Sequence, residues 1–96
     1  MVKVLNVLDQ IGNHWKEGDG KFESGFWYGG PVDDELIRIF SGEGNSTLGG
    51  RITARRNVKF SDGRTRKIYT FEADPSQSGR PRPRAFNPNG CVVTEE

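Results

Sequence analysis

Residues 51–73 read RITARRNVKFSDGRTRKIYTFEA, and the fold turns on how this stretch is paired. Two runs rich in β-branched and aromatic residues, 51–60 and 65–73, flank Ser61, Asp62, Gly63 and Arg64. Asp-Gly is the pair a two-residue hairpin turn favours, because both central residues take positive φ. Pairing outward from that turn sets Phe60 opposite Thr65, Val58 opposite Lys67, Arg56 opposite Tyr69, Ala54 opposite Phe71 and Ile52 opposite Ala73. The other face then pairs Lys59 with Arg66, Asn57 with Ile68, Arg55 with Thr70 and Thr53 with Glu72. One face comes out mainly apolar and the other mainly polar and basic, as a half-buried hairpin requires. Because a lone hairpin is marginal in water, it must pack on further strands.

Those strands are sought upstream. Residues 21–28 contain Phe22, Phe26, Trp27 and Tyr28 and read as an aromatic-rich strand, with Gly25 marking a bulge or a close approach. Leu36, Ile37, Arg38, Ile39 and Phe40 read as a strand buried largely on both sides. Residues 16–20 form a turn, and residues 41–50, with four glycines, a flexible loop or wide turn. Val4, Leu8, Ile11 and Trp15 recur at spacings of four, three and four, a helical period with a stop near Gly12 or Asn13. An alternating strand through residues 2–7 is the competing reading.

The expectation is therefore a mostly β or α+β fold: a short N-terminal helix on a small twisted antiparallel sheet of four or five strands. A partly open barrel or a half-sandwich would both fit. One globular domain covers 1–74. Residues 75–90 hold four prolines, two glycines and three arginines. So little apolar surface predicts an extended or mobile tail over 75–96, in which residues 91–94 return as an edge strand and Phe86 acts as an anchor.

Composition bounds the function. The 96 residues suit one domain, and a chain this short has a thin stability margin. The apolar share is 32%, so ten aromatics must carry a small core. Cys91 is the only cysteine, which excludes an intramolecular disulfide and leaves a free thiol or a disulfide-linked dimer. No run approaches the length of a membrane span and no secretory leader is visible, so a cytoplasmic protein with no membrane association is expected.

Catalytic chemistry is poorly supplied. His14 is the lone histidine, and one histidine with one cysteine cannot build a zinc site. The glycine-rich stretches lack the Lys-Ser/Thr of a phosphate-binding loop, and no EF-hand spacing surrounds Asp33, Asp34 and Glu35. The reading is not an enzyme, with no catalytic residues, no metal and no cofactor.

Charge offers the one functional hint. Residues 1–50 carry four bases against eight acids, whereas residues 51–96 carry ten bases against five acids. Seven of those bases fall between Arg51 and Lys67. In the register above, Lys59 and Arg66 face each other, an unfavourable pair that a bound anion would relieve. Two-stranded ribbons also fit the major groove of DNA. These features predict a small binding protein that contacts DNA or RNA phosphates, or another polyanion, through Arg55, Lys59, Arg64, Arg66 and Lys67. Arg80, Arg82 and Arg84 would extend the contact along the tail. A solvated strand face whose cations deter edge-to-edge association is the plainer alternative.

Two other classes stay open. A protein-interaction module, such as a small inhibitor or adaptor, would use Trp27, Asp33, Asp34 and Glu35 as its contact surface. A self-assembling structural subunit would join the oppositely charged halves head to tail into a homo-oligomer.

Overall fold

The computed structural model describes residues 2–9, 12, 14–27, 35–86 and 90–96, apart from the side chain of Phe26. Among them the chain forms β1 (Lys3–Leu8), β2 (His14–Gly18), β3 (Lys21–Trp27), β4 (Leu36–Phe40), β5 (Leu48–Lys59), β6 (Thr65–Ala73), a single 3-10 turn (Pro75–Gln77) and β7 (Cys91–Glu95). All seven strands belong to one sheet in the order β2-β3-β6-β5-β4-β1-β7. It is a mixed sheet: β1 runs parallel to β4, and the other neighbours are antiparallel.

The expected N-terminal helix is replaced by β1. Val4, Leu5, Asn6 and Val7 are each at most 1% exposed, so the strand is buried on both faces. A strand buried in this way shows no alternation, and its apolar run imitates helical spacing. The one polar member, Asn6, is satisfied by donating from Nδ2 to the Val92 carbonyl (3.2 Å) and to Thr94 Oγ1 (3.0 Å). Leu36 to Phe40 form the doubly buried strand that the sequence predicts.

The sheet curls. In a flat sheet β1 and β2 would stand five strand spacings apart, about 24 Å. The connection from Leu8 to His14 spans at most about 21 Å even when fully extended. The side chains on either side of it meet: His14 Nδ1 lies 2.6 Å from Asp9 Oδ2, and the Asp9 side chain is fully buried. Trp27 of β3 likewise packs near Leu8 and Gly90 on the far side of the curl. Inside it lie Leu5, Val7, Ile37, Ile39, Ile52, Tyr69, Phe71, Trp27 and Cys91. Phe22 stacks on Phe71 at 5.8 Å between ring centroids. Cys91 is therefore a core residue rather than a tail thiol, 5% exposed.

The hairpin is present, but one residue out of the expected register. Phe60 pairs with Arg64, its N–H donating to the Arg64 carbonyl (2.9 Å), while Gly63 N–H donates back to the Phe60 carbonyl (2.9 Å). The loop is thus three residues, Ser61 to Gly63, with Gly63 at φ 83°. This is the turn-plus-bulge hairpin, which needs only one residue in the left-handed region, not the two-residue loop in which both do. The rungs become Lys59 with Thr65, Val58 with Arg66, Asn57 with Lys67, Arg56 with Ile68 and Arg55 with Tyr69. A register shift between Ile52 and Ala54 then brings Ile52 opposite Phe71, returning it to the core.

Two further segments differ from expectation. Leu48, Gly49 and Gly50 belong to β5 rather than to the preceding loop. A Cβ at Gly50 would overlap the carbonyl of Glu72, so glycine is needed there for close strand approach and not for flexibility. Residues 75–86, expected as an extended or mobile tail, begin with the 3-10 turn and are held against the outer face of β4. Ser46 N–H donates to the Arg80 carbonyl (3.0 Å) and Gly79 N–H to the Ser46 carbonyl (2.7 Å). Phe86 packs edge-on against Phe40 at 5.7 Å, the anchoring role its isolation in a polar segment suggested. Strand β7 then lies beside β1 as the edge of the sheet.

Candidate functional site

Strands β5 and β6 outrun their neighbours. β4 pairs with β5 only from Leu48 to Arg51. On the other side β3 follows β6 as far as Lys67, after a register shift between Ser24 and Trp27. Among the described residues β5 beyond Ile52 is therefore an open edge, while β6 stays flanked by β3 as far as Lys67, and only the tip from Val58 to Arg66 projects past both neighbours as an arm. Thr53 through Asn57, Lys59 and Ser61 through Thr65 are exposed. The arm is held together by backbone ladder bonds and by its turn, where the Asp62 side chain accepts from the Arg64 N–H (2.9 Å).

Residues 54–67 carry Arg55, Arg56, Lys59, Arg64, Arg66 and Lys67 against the single acid Asp62. The register divides these cations between two faces. Arg55, Lys59 and Lys67 share the face that continues the core, and Arg56 and Arg66 lie on the other. The expected Lys59–Arg66 opposition is absent, since Lys59 faces Thr65 across the ladder. Strand alternation by one residue moves every side chain to the opposite face, which is why a one-residue error in the turn redistributes the whole charge pattern.

The outer face of the arm meets a compact polar cluster. Arg56 Nη2 donates to Glu23 Oε1 at 3.1 Å, Thr70 Oγ1 donates to Glu23 Oε2 at 2.9 Å, and Trp15 Nε1 donates to Glu23 Oε1 at 3.1 Å. Burial raises the Glu23 pKa, but the bonds from Arg56, Thr70 and Trp15 and the Arg56 charge outweigh it and hold the carboxyl below its ordinary value. Arg56 is thus a structural cation that joins the arm to β3. Arg66 lies over the Phe60 ring, 4.7 Å from its centroid, and 3.9 Å from Asp62.

The tail arginines do not join this surface. The arm extends past the Leu36 end of β4, whereas the tail packs at the Phe40 end, so the two basic segments sit at opposite ends of the strands. Arg80 pairs with Glu96 at 3.0 Å. Arg82 donates to the Gly42 carbonyl and stacks on Phe86 at 5.1 Å. Arg84 is exposed. Beneath them Arg38, 3% exposed, donates to Gln77 Oε1 (2.8 Å) and forks onto both carboxylate oxygens of Glu96. The Arg38 hydrogen bonds are the largest influence on Glu96 and lower its pKa; burial opposes them, and the charges of Arg38 and Arg80 add to the lowering.

The residues expected to form a protein-contact surface fare differently. Trp27 is 6% exposed, with its Nε1 donating to Ser24 Oγ at 2.9 Å inside the core, so its ring is not at the surface. Glu35 is exposed at the start of β4, and Asp33 and Asp34 lie outside the described residues. Sequence reasoning missed the pairing of His14 with buried Asp9 across the seam of the curl, although their five-residue separation could have suggested it. The Ser24 backbone lies opposite His14, but Ser24 is fully buried and accepts from Trp27. Among the described residues no three His, Cys, Asp or Glu side chains gather as a metal site would need, and no helix is long and apolar enough to cross a membrane.

The class defined here is a small, curled, mixed β-sheet protein with a basic two-stranded arm. Comparison with protein-family models, curated proteins and solved structures returns no match for the chain.

Proposed function

We propose that this protein is a small, non-enzymatic binding protein that contacts nucleic-acid phosphates, or another polyanion of similar charge density, through the arm formed by β5 and β6. The observation that carries this reading is concentrated charge: six cations and one acid in residues 54–67, along an open strand edge and on a hairpin tip that extends beyond the rest of the sheet. A projecting arm brings its charges close to a polyanion without requiring the body to dock, and each neutralised phosphate releases condensed counterions. Arg55, Lys59, Arg64 and Lys67 are the contacts assigned, with Arg66 beside them.

The protein is read as a binder and not a catalyst because the hydroxyl opposite His14, that of Ser24, is buried in the core and accepts from Trp27, which withholds it as a nucleophile.

The test is a fluorescence-anisotropy titration of the full chain against DNA and RNA at low and at near-physiological salt. Affinity should fall with salt, with a logarithmic slope of about 0.9 per phosphate contacted on duplex DNA. Replacing Arg55, Lys59 and Arg64 together by alanine should remove most of the binding. No binding of any nucleic acid or of a second polyanion such as heparin, even at low salt, would end this reading.

A further inference from the structure

Resting on that reading, we infer that the arm's target is double-stranded B-form DNA, and that the tip of the hairpin enters the major groove with its two faces toward the groove walls. The register puts Lys59 and Lys67 on one face of the tip, Arg66 on the other and Arg64 just after the turn. A ribbon bearing side chains on both faces is about 10 Å thick. The major groove is about 12 Å wide and 8.5 Å deep, the minor groove only about 6 Å wide. Presented in this orientation, the arm fits the first and not the second.

At about 3.4 Å per residue, the groove depth takes in two or three rungs of the ladder. Counted from the turn, these are Phe60 with Arg64, Lys59 with Thr65 and Val58 with Arg66; Asn57 with Lys67 lies behind them, where β3 already flanks β6. Three of the six cations in residues 54–67, Lys59, Arg64 and Arg66, lie on those rungs. Cations on both faces match a groove with phosphates on both walls, whereas contact with a flat surface would call for them on one. The alternatives fit less well. The major groove of A-form RNA is deep and too narrow for such an arm. A single-strand binder needs exposed rings for base stacking. Among the described residues Trp27, Phe40, Tyr69 and Phe71 are buried, Phe60 lies beneath Arg66, and Trp15, Phe22 and Phe86 are half-buried and away from the tip.

The experiment compares duplex DNA, duplex RNA and single-stranded DNA of equal length with the full chain at one low salt concentration. Duplex DNA should bind roughly tenfold or more tighter than either alternative. Lys59→Glu and Arg66→Gln, one on each face, should both weaken duplex binding, with unchanged thermal melting confirming the fold. Because Arg66 supports Phe60 and its variant could disturb the turn, Val58→Lys provides a gain-of-charge control on the same face and should tighten binding. Equal affinity for all three nucleic acids would overturn the groove assignment while leaving the broader function standing. An effect of Lys59→Glu with none from Arg66→Gln or Val58→Lys would overturn the two-walled orientation. Binding to none of the three would remove both the assignment and the nucleic-acid function beneath it.

Discussion

At the Phe40 end of β4 the sheet is covered on both faces. Ile37 and Ile39 face the inner core, while Arg38 and Phe40 are sealed from outside by Gln77, Glu96 and Phe86. At the other end β5 continues past β4 and the hairpin tip past β3, with Thr53 through Asn57 exposed and a glycine turn at the tip. The same sheet is thus a two-sided core at one end and a solvated ribbon at the other. Side-chain burial accounts for stability at the first end. At the second, ladder bonds and turn geometry set the shape, Arg56 ties the strands to β3 through Glu23, and an exposed side chain such as Lys59 can change with little effect on folding.

Substitutions at the two ends should therefore separate stability from binding. The largest effect is expected from Phe40→Ala, which empties a fully buried site and detaches Phe86; it should lower unfolding free energy by about 3–5 kcal/mol, read from urea denaturation. A loss as small as that of an exposed residue would mean that the tail does not cover this face.

Glu96→Gln comes next. It leaves Arg38 buried with a weakened partner and should cost about 2 kcal/mol, less than for a fully enclosed pair because the Glu96 side chain is 39% exposed. This pair also predicts a pH dependence. The Glu96 carboxyl titrates below its ordinary value, so its contribution is present above that ordinary pKa and is lost as pH falls through the lowered one. Urea midpoints measured between neutral pH and about pH 3 should fall less steeply for Glu96→Gln than for the parent chain. Glu23, lowered in the same direction, supplies a second acid-sensitive contribution that the variant retains.

The smallest effects belong to the arm. Gly63→Ala places a side chain at φ 83° and should cost about 1 kcal/mol. Lys59→Glu, on an exposed rung, should change stability by less than about 0.5 kcal/mol while weakening nucleic-acid binding. If Lys59→Glu lowered the melting temperature as much as Phe40→Ala, the division between the two ends would be wrong.

Legibility in the sequence followed the same division. Leu36 to Phe40 could be read as a doubly buried strand because five bulky residues stand between polar segments. Gly25 could be placed at a close approach, and a Cβ there would come within 2.8 Å of Ile68. The hairpin's existence was legible, but its register was not. Asp62-Gly63 suits both a two-residue and a three-residue loop, and the bulge near Thr53 restores the core pairing, so the apolar pattern near Phe71 does not distinguish them. β1 imitates a helix in sequence because its partners, β4 and β7, are distant in the chain and its burial on both faces leaves no strand periodicity. The tail's anchoring rests on a few contacts, Ser46 with Gln77 and Arg80 and Phe86 with Phe40, that composition does not reveal. For the candidate site, the cluster of cations was evident in sequence, but its distribution between two faces depended on that register.

The parallel union of β1 and β4 has a consequence for how the chain reaches this state. Val4 to Val7 are synthesised long before either neighbouring strand, and they hold a sticky apolar segment that cannot be sheltered locally. Pairing of β1 with β4 and β7 joins distant parts of the chain, the kind of non-local topology that folds slowly. Apolar surface exposed during that interval favours aggregation, so overproduction at low temperature should yield more soluble material than rapid expression, measured as the soluble fraction.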